Sequence, residues 1–158
     1  ENAKFYQLFR GCTQLTTAPE LPATTLAESC YNMMFRGCTQ LTSAPELPAT
    51  SLANNCYDMM FHGCTSLTTA PVLPATTLAE ACYQHMFNGC TNLNSITMLA
   101  TDITASNCLS YWVNGVAATG TFTKAKDVSI LINSPSGIPE GWTVKSYVDP
   151  DVPSGGEW

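Results

Sequence analysis

The stretch FRGCTQLTSAPELPATSLANNCYDMMF, residues 35–61, ends on the residue type that opens it, and HGCTSLTTAPVLPATTLAEACYQHMF, residues 62–87, repeats most of it. The cysteines set the register. Cys12, Cys38, Cys64 and Cys90 recur at one constant step, and Cys30, Cys56, Cys82 and Cys108 recur at the same one. Gly11, Gly37, Gly63, Gly89 and Gly115 keep it too. Self-similarity at a period of roughly 20–50 residues marks a solenoid, in which each unit buries its apolar face against its neighbours. Ankyrin and tetratricopeptide units, at about 33–34 residues, are too long for this step, whereas leucine-rich repeats run to about 20–29.

Each unit reads as a helix followed by a strand. Thr25-Leu26-Ala27-Glu28 has the form of a capping box, which Thr77 and Glu80 repeat and Ser51 with Asn54 weakens. Leu26, Cys30, Met34 and Cys38 then follow four apart, with Ala27, Tyr31 and Phe35 beside them, an apolar stripe read here as helical. Gly37 stands where a left-handed residue ends a helix. Arg10, Arg36 and His62 precede their glycines, where a cation suits the negative helix end. Beyond the glycine, Leu15-Thr16-Thr17-Ala18 is a strand signal cut short by Pro19. The fourth unit reads Leu93-Asn94-Ser95-Ile96-Thr97-Met98, without proline and close to a leucine-rich repeat strand.

The motifs MFRGCTQLTSAP (34–45), MFHGCTSLTTAP (60–71) and MFNGCTNLNSI (86–96) resemble the BspA-like leucine-rich repeat surface proteins of anaerobic gut and oral bacteria. The resemblance covers about residues 5–115, and the tail from AATGTF (117–122) through GIPEGWTV (137–144) is similar to the closing segment of such proteins. Ala18, Ala44 and Ala70 depart from it, since larger aliphatics are usual there. The expected fold is an α/β leucine-rich repeat solenoid, with a short parallel strand and a helix per unit and a small β C-terminal cap. Its expected parts are the solenoid at 1–119, with a partial first unit, the cap at 120–148 and a flexible acidic tail at 149–158. The resemblance implies a bacterial protein of the cell surface or otherwise exported, lipid-anchored in its full-length form. It also implies upstream repeats and adhesion to a host matrix protein, a bacterial surface protein or a glycan.

A chain of 158 residues predicts one domain, and 45% hydrophobic residues supply a thin continuous core. A net charge of −6 with six basic residues argues against nucleic acid and against anionic lipid. No apolar run approaches the roughly 18 residues of a membrane span. The sequence enters the repeat in mid-unit, with Lys4 in the Cys30 column, which fits either a piece of a longer protein or a polar end unit. At the other end Trp112, Val113 and Val116 replace Met, Phe and Cys, as a terminal unit would. Residues 120–147 read as strands around a Pro-Ser-Gly turn at 135–137, with Trp142 over the open core.

Eight cysteines in an exported protein raise the question of disulfides. Cys30 and Cys38 would lie about 12 Å apart on one helix, and Cys12 and Cys38 would stack with parallel side chains. Buried thiols acting as small hydrophobes are therefore expected, with no disulfide. No C-x-x-C appears, and no metal or cofactor is expected. Nor is there a nucleophile elbow, a phosphate loop or a paired-carboxylate constellation. His62 and His85 have structural readings, and Glu20 with Glu46 reads as a solvated face. No catalytic residue is assigned, and the expectation is a non-enzyme. What remains is the strand surface, with Thr16, Thr42, Thr68 and Asn94 in one file and Thr17, Ser43, Thr69 and Ser95 in another. The pattern leaves open which file faces out, and whether it serves recognition or only solubility. Three functions follow: a surface binding module, a structural spacer, and, with less behind it, a thiol-dependent enzyme or redox protein.

Overall fold

The computed structural model describes residues 5–126, 128 and 131–153. Lys4, Asp127, Ser129 and Ile130, and residues 154–158 of the expected tail, lie outside the described residues.

No helix forms among the described residues, and the three strands make one parallel sheet. This overturns the α/β leucine-rich repeat solenoid. The reason lies in the spacing. An α-helix turns about 100° per residue, so a file at strict four-residue steps slips by about 40° at each step. From Leu26 to Cys38 the slip reaches about 120°, too far for one helical face. The chain resolves this by turning left-handed at every fourth residue: Ser29, Met33 and Gly37 have φ of 55°, 55° and 75°. Asn55, Met59 and Gly63 repeat this at 58°, 54° and 75°, and Ala81, His85 and Gly89 at 50°, 51° and 79°.

Between these residues the amides alternate in direction. Tyr31, Met33 and Phe35 donate to the carbonyls of Cys56, Asp58 and Met60 in the following unit, at 3.0, 2.9 and 2.9 Å. Asn32, Met34 and Arg36 donate three residues back, to Ser29, Tyr31 and Met33, at 3.3, 3.2 and 3.1 Å. The result is a ribbon of linked turns. Each left-handed non-glycine costs roughly 1–2 kcal/mol, and the bonds to the next unit offset that cost. With no helix to cap, Thr25 and Thr77 instead form isolated parallel bridges to Ser51 and Asp102. Arg36 faces no helix end, and its Nη1 lies 3.9 Å and 3.6 Å from the sulfurs of Met33 and Met59.

The units stack as rungs, numbered here by their glycines, from Gly11 in rung 1 to Gly115 in rung 5. Two aromatic files run up the interior. Phe5, Tyr31, Tyr57 and Tyr83 stack at 6.0, 6.0 and 5.9 Å. Phe9, Phe35, Phe61 and Phe87 stack at 5.6, 5.6 and 5.7 Å. Both files end on the fully buried Trp112, which meets the edge of Phe122 at 6.1 Å.

Opposite the ribbon, the chain forms a second wall. Rungs 1–3 hold no strand there, only isolated bridges such as Thr17↔Ser43 and Thr69↔Ser95. A strand in every unit was expected, and the prolines remove it: Pro19, Pro45 and Pro71 have no N–H to give a ladder. Rung 4, without proline, forms β1 (Ser95–Met98), whose Ile96 and Met98 are buried. β2 (Thr121–Lys124) and β3 (Thr143–Ser146) join it in the order β1-β2-β3. Ser95 pairs with Thr121, and Thr121 with Thr143, all parallel. The segment expected as a cap thus carries the stack onward. The Pro135–Gly137 turn closes the ribbon wall, because Val113 N–H donates to Pro135 O at 3.1 Å and Trp112 Nε1 to Gly137 O at 2.8 Å. Trp142 is buried at the last rung and donates from Nε1 to Ala117 O at 2.7 Å.

Candidate functional site

The eight residues singled out on the strand surface lie together on the second wall. Thr16, Thr17, Thr42, Ser43, Thr68, Thr69 and Asn94 are exposed, and Ser95 is half-buried. Both files therefore reach solvent, where one was expected to. Leu15, Leu41, Leu67 and Leu93 pack inward just before them, and the chain then turns a corner that leaves two successive residues outside.

The two files differ in how far they are used by the fold. In the first, Thr42 N–H and Oγ1 both donate to Thr16 O, at 3.1 and 3.3 Å, and Asn94 N–H donates to Thr68 O at 2.9 Å. In the second, backbone bridges join Thr17 to Ser43 and Thr69 to Ser95. No hydrogen bond within the described residues engages the hydroxyls of these four. The second file also runs further than the sequence reading carried it. Sheet register adds Thr121 and Thr143, giving six hydroxyls in a line, with Thr97 and Thr123 paired beside them. Thr121 stands one full repeat step after Ser95 and was legible from the period. Thr143 arrives short of the next full step and was not. The first file stops at Gly120, where a Cβ would collide with Asn94 O and the Trp142 ring.

Beside the hydroxyls the prolines leave grooves. One of about 500 Å³ lies between rungs 1 and 2, lined by Pro19, Glu20, Leu21, Pro22, Pro45 and Glu46 among others. A second, of about 250 Å³, lies between rungs 2 and 3, against Pro45, Glu46, Leu47, Pro48, Pro71 and Val72. Glu20 and Glu46 are exposed at these grooves. The surface is thus short hydroxyls at the rung spacing, flanked by apolar pyrrolidine rings and two carboxylates.

The thiols lie elsewhere. Cys38, Cys64 and Cys90 are buried and donate from Sγ to the carbonyls of Phe9, Phe35 and Phe61 one rung back, at 3.1, 3.1 and 3.0 Å. Burial pushes Cys82 and Cys90 up to about 12 and raises Cys56 and Cys64 as well. Cys12, Cys38, Cys56, Cys64, Cys82, Cys90 and Cys108 stand as free thiols. His85 stacks on Tyr111 at 5.8 Å, with its Nδ1 3.2 Å from Asn88 Nδ2. Burial, then the charges of Arg36 and His85, lower the pKa of His62. Among the described residues no three His, Cys, Asp or Glu cluster as metal ligands. Among them, too, no helix is long and apolar enough to cross a membrane.

No family model, no curated protein and no solved structure matches the chain. The likeness to BspA-like surface proteins rests on the quoted motifs alone.

Proposed function

We propose that this protein is a non-enzymatic binding module of the cell surface, adhering through the hydroxyl wall to a repetitive, extended ligand such as a glycan or a matrix protein. The observation that carries the reading is the second file: Thr17, Ser43, Thr69, Ser95 and Thr121 lie one per rung, Thr143 pairs with Thr121 on β3, and their hydroxyls make no hydrogen bond within the described residues. Strands stack about 4.8 Å apart, so each rung offers one short, low-entropy donor and acceptor at that repeat. Individual contacts of this kind are weak, and affinity comes from their number. The inner thiols favour this reading over thiol chemistry, because the nucleophile is the thiolate and burial holds Cys38, Cys56, Cys64, Cys82, Cys90 and Cys108 protonated.

A glycan array and a panel of matrix proteins test it, with wild type and three double variants. Ser43→Lys with Thr69→Lys should abolish binding, and Thr42→Lys with Thr68→Lys should weaken it. Asn54→Lys with Asn114→Lys, both exposed and away from the hydroxyl files, should leave it unchanged. Asn32 and Asp58 are buried and unsuitable as controls. If the wild type binds nothing on either panel, or only the control pair loses binding, the spacer reading replaces this one.

A further inference from the structure

Asn32 in rung 2 and Asp58 in rung 3 occupy the same position of the repeat, one step apart. Each is only 7% exposed. Met33 N–H donates to Asp58 O at 2.9 Å, which keeps the two rungs in register at this point. The neighbouring columns carry their side chains in parallel from rung to rung, Tyr31 on Tyr57 at 6.0 Å and Phe35 on Phe61 at 5.6 Å. Asp58 Oδ2 accepts from Asn55 Nδ2 at 3.2 Å. Asp58 Oδ1 and Asn32 Oδ1 are both buried and have no partner.

Two unpartnered acceptors on neighbouring rungs are costly, the ionised one most of all. One hydrogen satisfies both. We propose that Asn32 and Asp58 form a buried proton-binding site that spans two rungs, in which the Asp58 carboxylic acid donates from Oδ1 to the Asn32 amide oxygen. The proton comes from solvent and leaves to it, and no other bond changes. The site is separate from the hydroxyl wall and does not depend on its function.

The surrounding charges are few. Burial raises the Asp58 pKa, while the Asn55 amide and then His85 on rung 4 draw it down. On rung 2 the cation is Arg36, whose Nη1 lies against the sulfurs of Met33 and Met59. His62 on rung 3 is itself held towards its neutral form by burial. The tyrosines beside the site, Tyr31 and Tyr57, are raised by burial and stay neutral.

The sign follows from linkage. The fold binds this proton more tightly than the unfolded chain, whose Asp titrates near about 3.9. The stabilisation is therefore full below that value and is lost as pH rises through the higher folded value. His62 works in the opposite direction, so the wild type alone does not isolate the effect. The chain already places Asn at this position on rung 2, and Asp58→Asn would offer an N–H to Asn32 Oδ1 at every pH.

The experiment is thermal unfolding of wild type and Asp58→Asn from pH 3.5 to 7.5, where the difference between the curves cancels His62. Asp58→Asn should raise Tm by roughly 2–4 °C at pH 7, and the gain should vanish by about pH 4. The 13C shift of the Asp58 carboxyl in the wild type gives a direct titration that needs no variant, and should titrate above the unfolded value. A rotated Asn32 amide would donate Nδ2–H to an ionised Asp58 instead. A titration at or below the unfolded value, or no gain at pH 7, would establish that arrangement and overturn the proposal. Stabilisation of the wild type by calcium chloride beyond sodium chloride of equal ionic strength, absent from Asp58→Asn, would make this a cation site and overturn it equally.

Discussion

Rung 2 and rung 4 place Ser43-Ala44-Pro45-Glu46 and Ser95-Ile96-Thr97-Met98 in the same columns of the repeat, yet only the second is a strand. Apart from the Thr17↔Ser43 bridge, no backbone hydrogen bond among the described residues engages residues 43–49. β1, by contrast, pairs with β2 along its whole length. Three substitutions separate them, the third being Glu46 against Met98. Pro45 has no N–H where Thr97 has one, and Ala44 offers little to the core where Ile96 is 1% exposed. On the ribbon side the same two rungs are alike: Met33 and His85 have φ of 55° and 51°, and each donates to the next rung at 2.9 Å. The ribbon is therefore the constant of the stack, and the sheet is added where proline is absent. Where the sheet is missing, a groove opens beside the hydroxyls, so the same prolines that prevent a strand shape the proposed binding face.

The largest way to break this contrast is to move the proline. Thr123 sits in the central strand, paired with Thr97 and Lys145. Thr123→Pro should cost about 3 kcal/mol, because a ladder N–H is lost and the ring meets a paired strand. Pro19→Thr, at the exposed proline of the same column in rung 1, where no ladder exists, should change stability by no more than about 0.5 kcal/mol. Urea denaturation of both variants decides it. Equal costs would show that rung 4 owes its strand to something other than the missing proline.

An effect of intermediate size tests the ribbon against the helix it replaced. Gly37 has φ of 75°, and the nearest atom to an added methyl group is 3.8 Å away, so Gly37→Ala meets strain and no clash. It should cost about 1 kcal/mol, and Gly63→Ala the same. Met33→Gly is the sharper test. In a helix it would cost about 1 kcal/mol. At φ of 55° it relieves a left-handed side chain, and stability should hold or rise. A clear loss of stability in Met33→Gly would return the segment to a helix.

The sequence carried the period and the strand of rung 4, because cysteine columns and the absence of proline are local signals. It misled on the ribbon. Apolar residues at four-residue steps resemble a helix over two turns, and only the third step exposes the drift. Asn55 and Asn107 are natural left-handed residues, but Met33, Met59 and His85 are not, so composition gave no warning. The hydroxyl files were legible as columns. Their shared exposure was not, since a strand would have hidden one of them and the corner after each buried leucine exposes both.

The smallest signal expected is a single thiol among eight. The cysteines belong to the ribbon rungs, where stacking covers the inner ones. Cys12 sits in rung 1 and is half-buried, whereas the other seven are buried. Burial pushes Cys82 and Cys90 up to about 12, so at pH 8 only about one molecule in ten thousand carries a thiolate at either position. Cys38 and Cys108 are raised in the same direction. Under native conditions a thiol reagent should therefore label about one equivalent quickly, at Cys12, and the rest at the rate of unfolding. Mass spectrometry of the labelled peptides identifies the site. In denaturant without reductant, all eight should react. Fast native labelling at Cys64 or Cys90 would mean that the ribbon opens locally, and the contrast between a constant ribbon and an optional sheet would then be reversed.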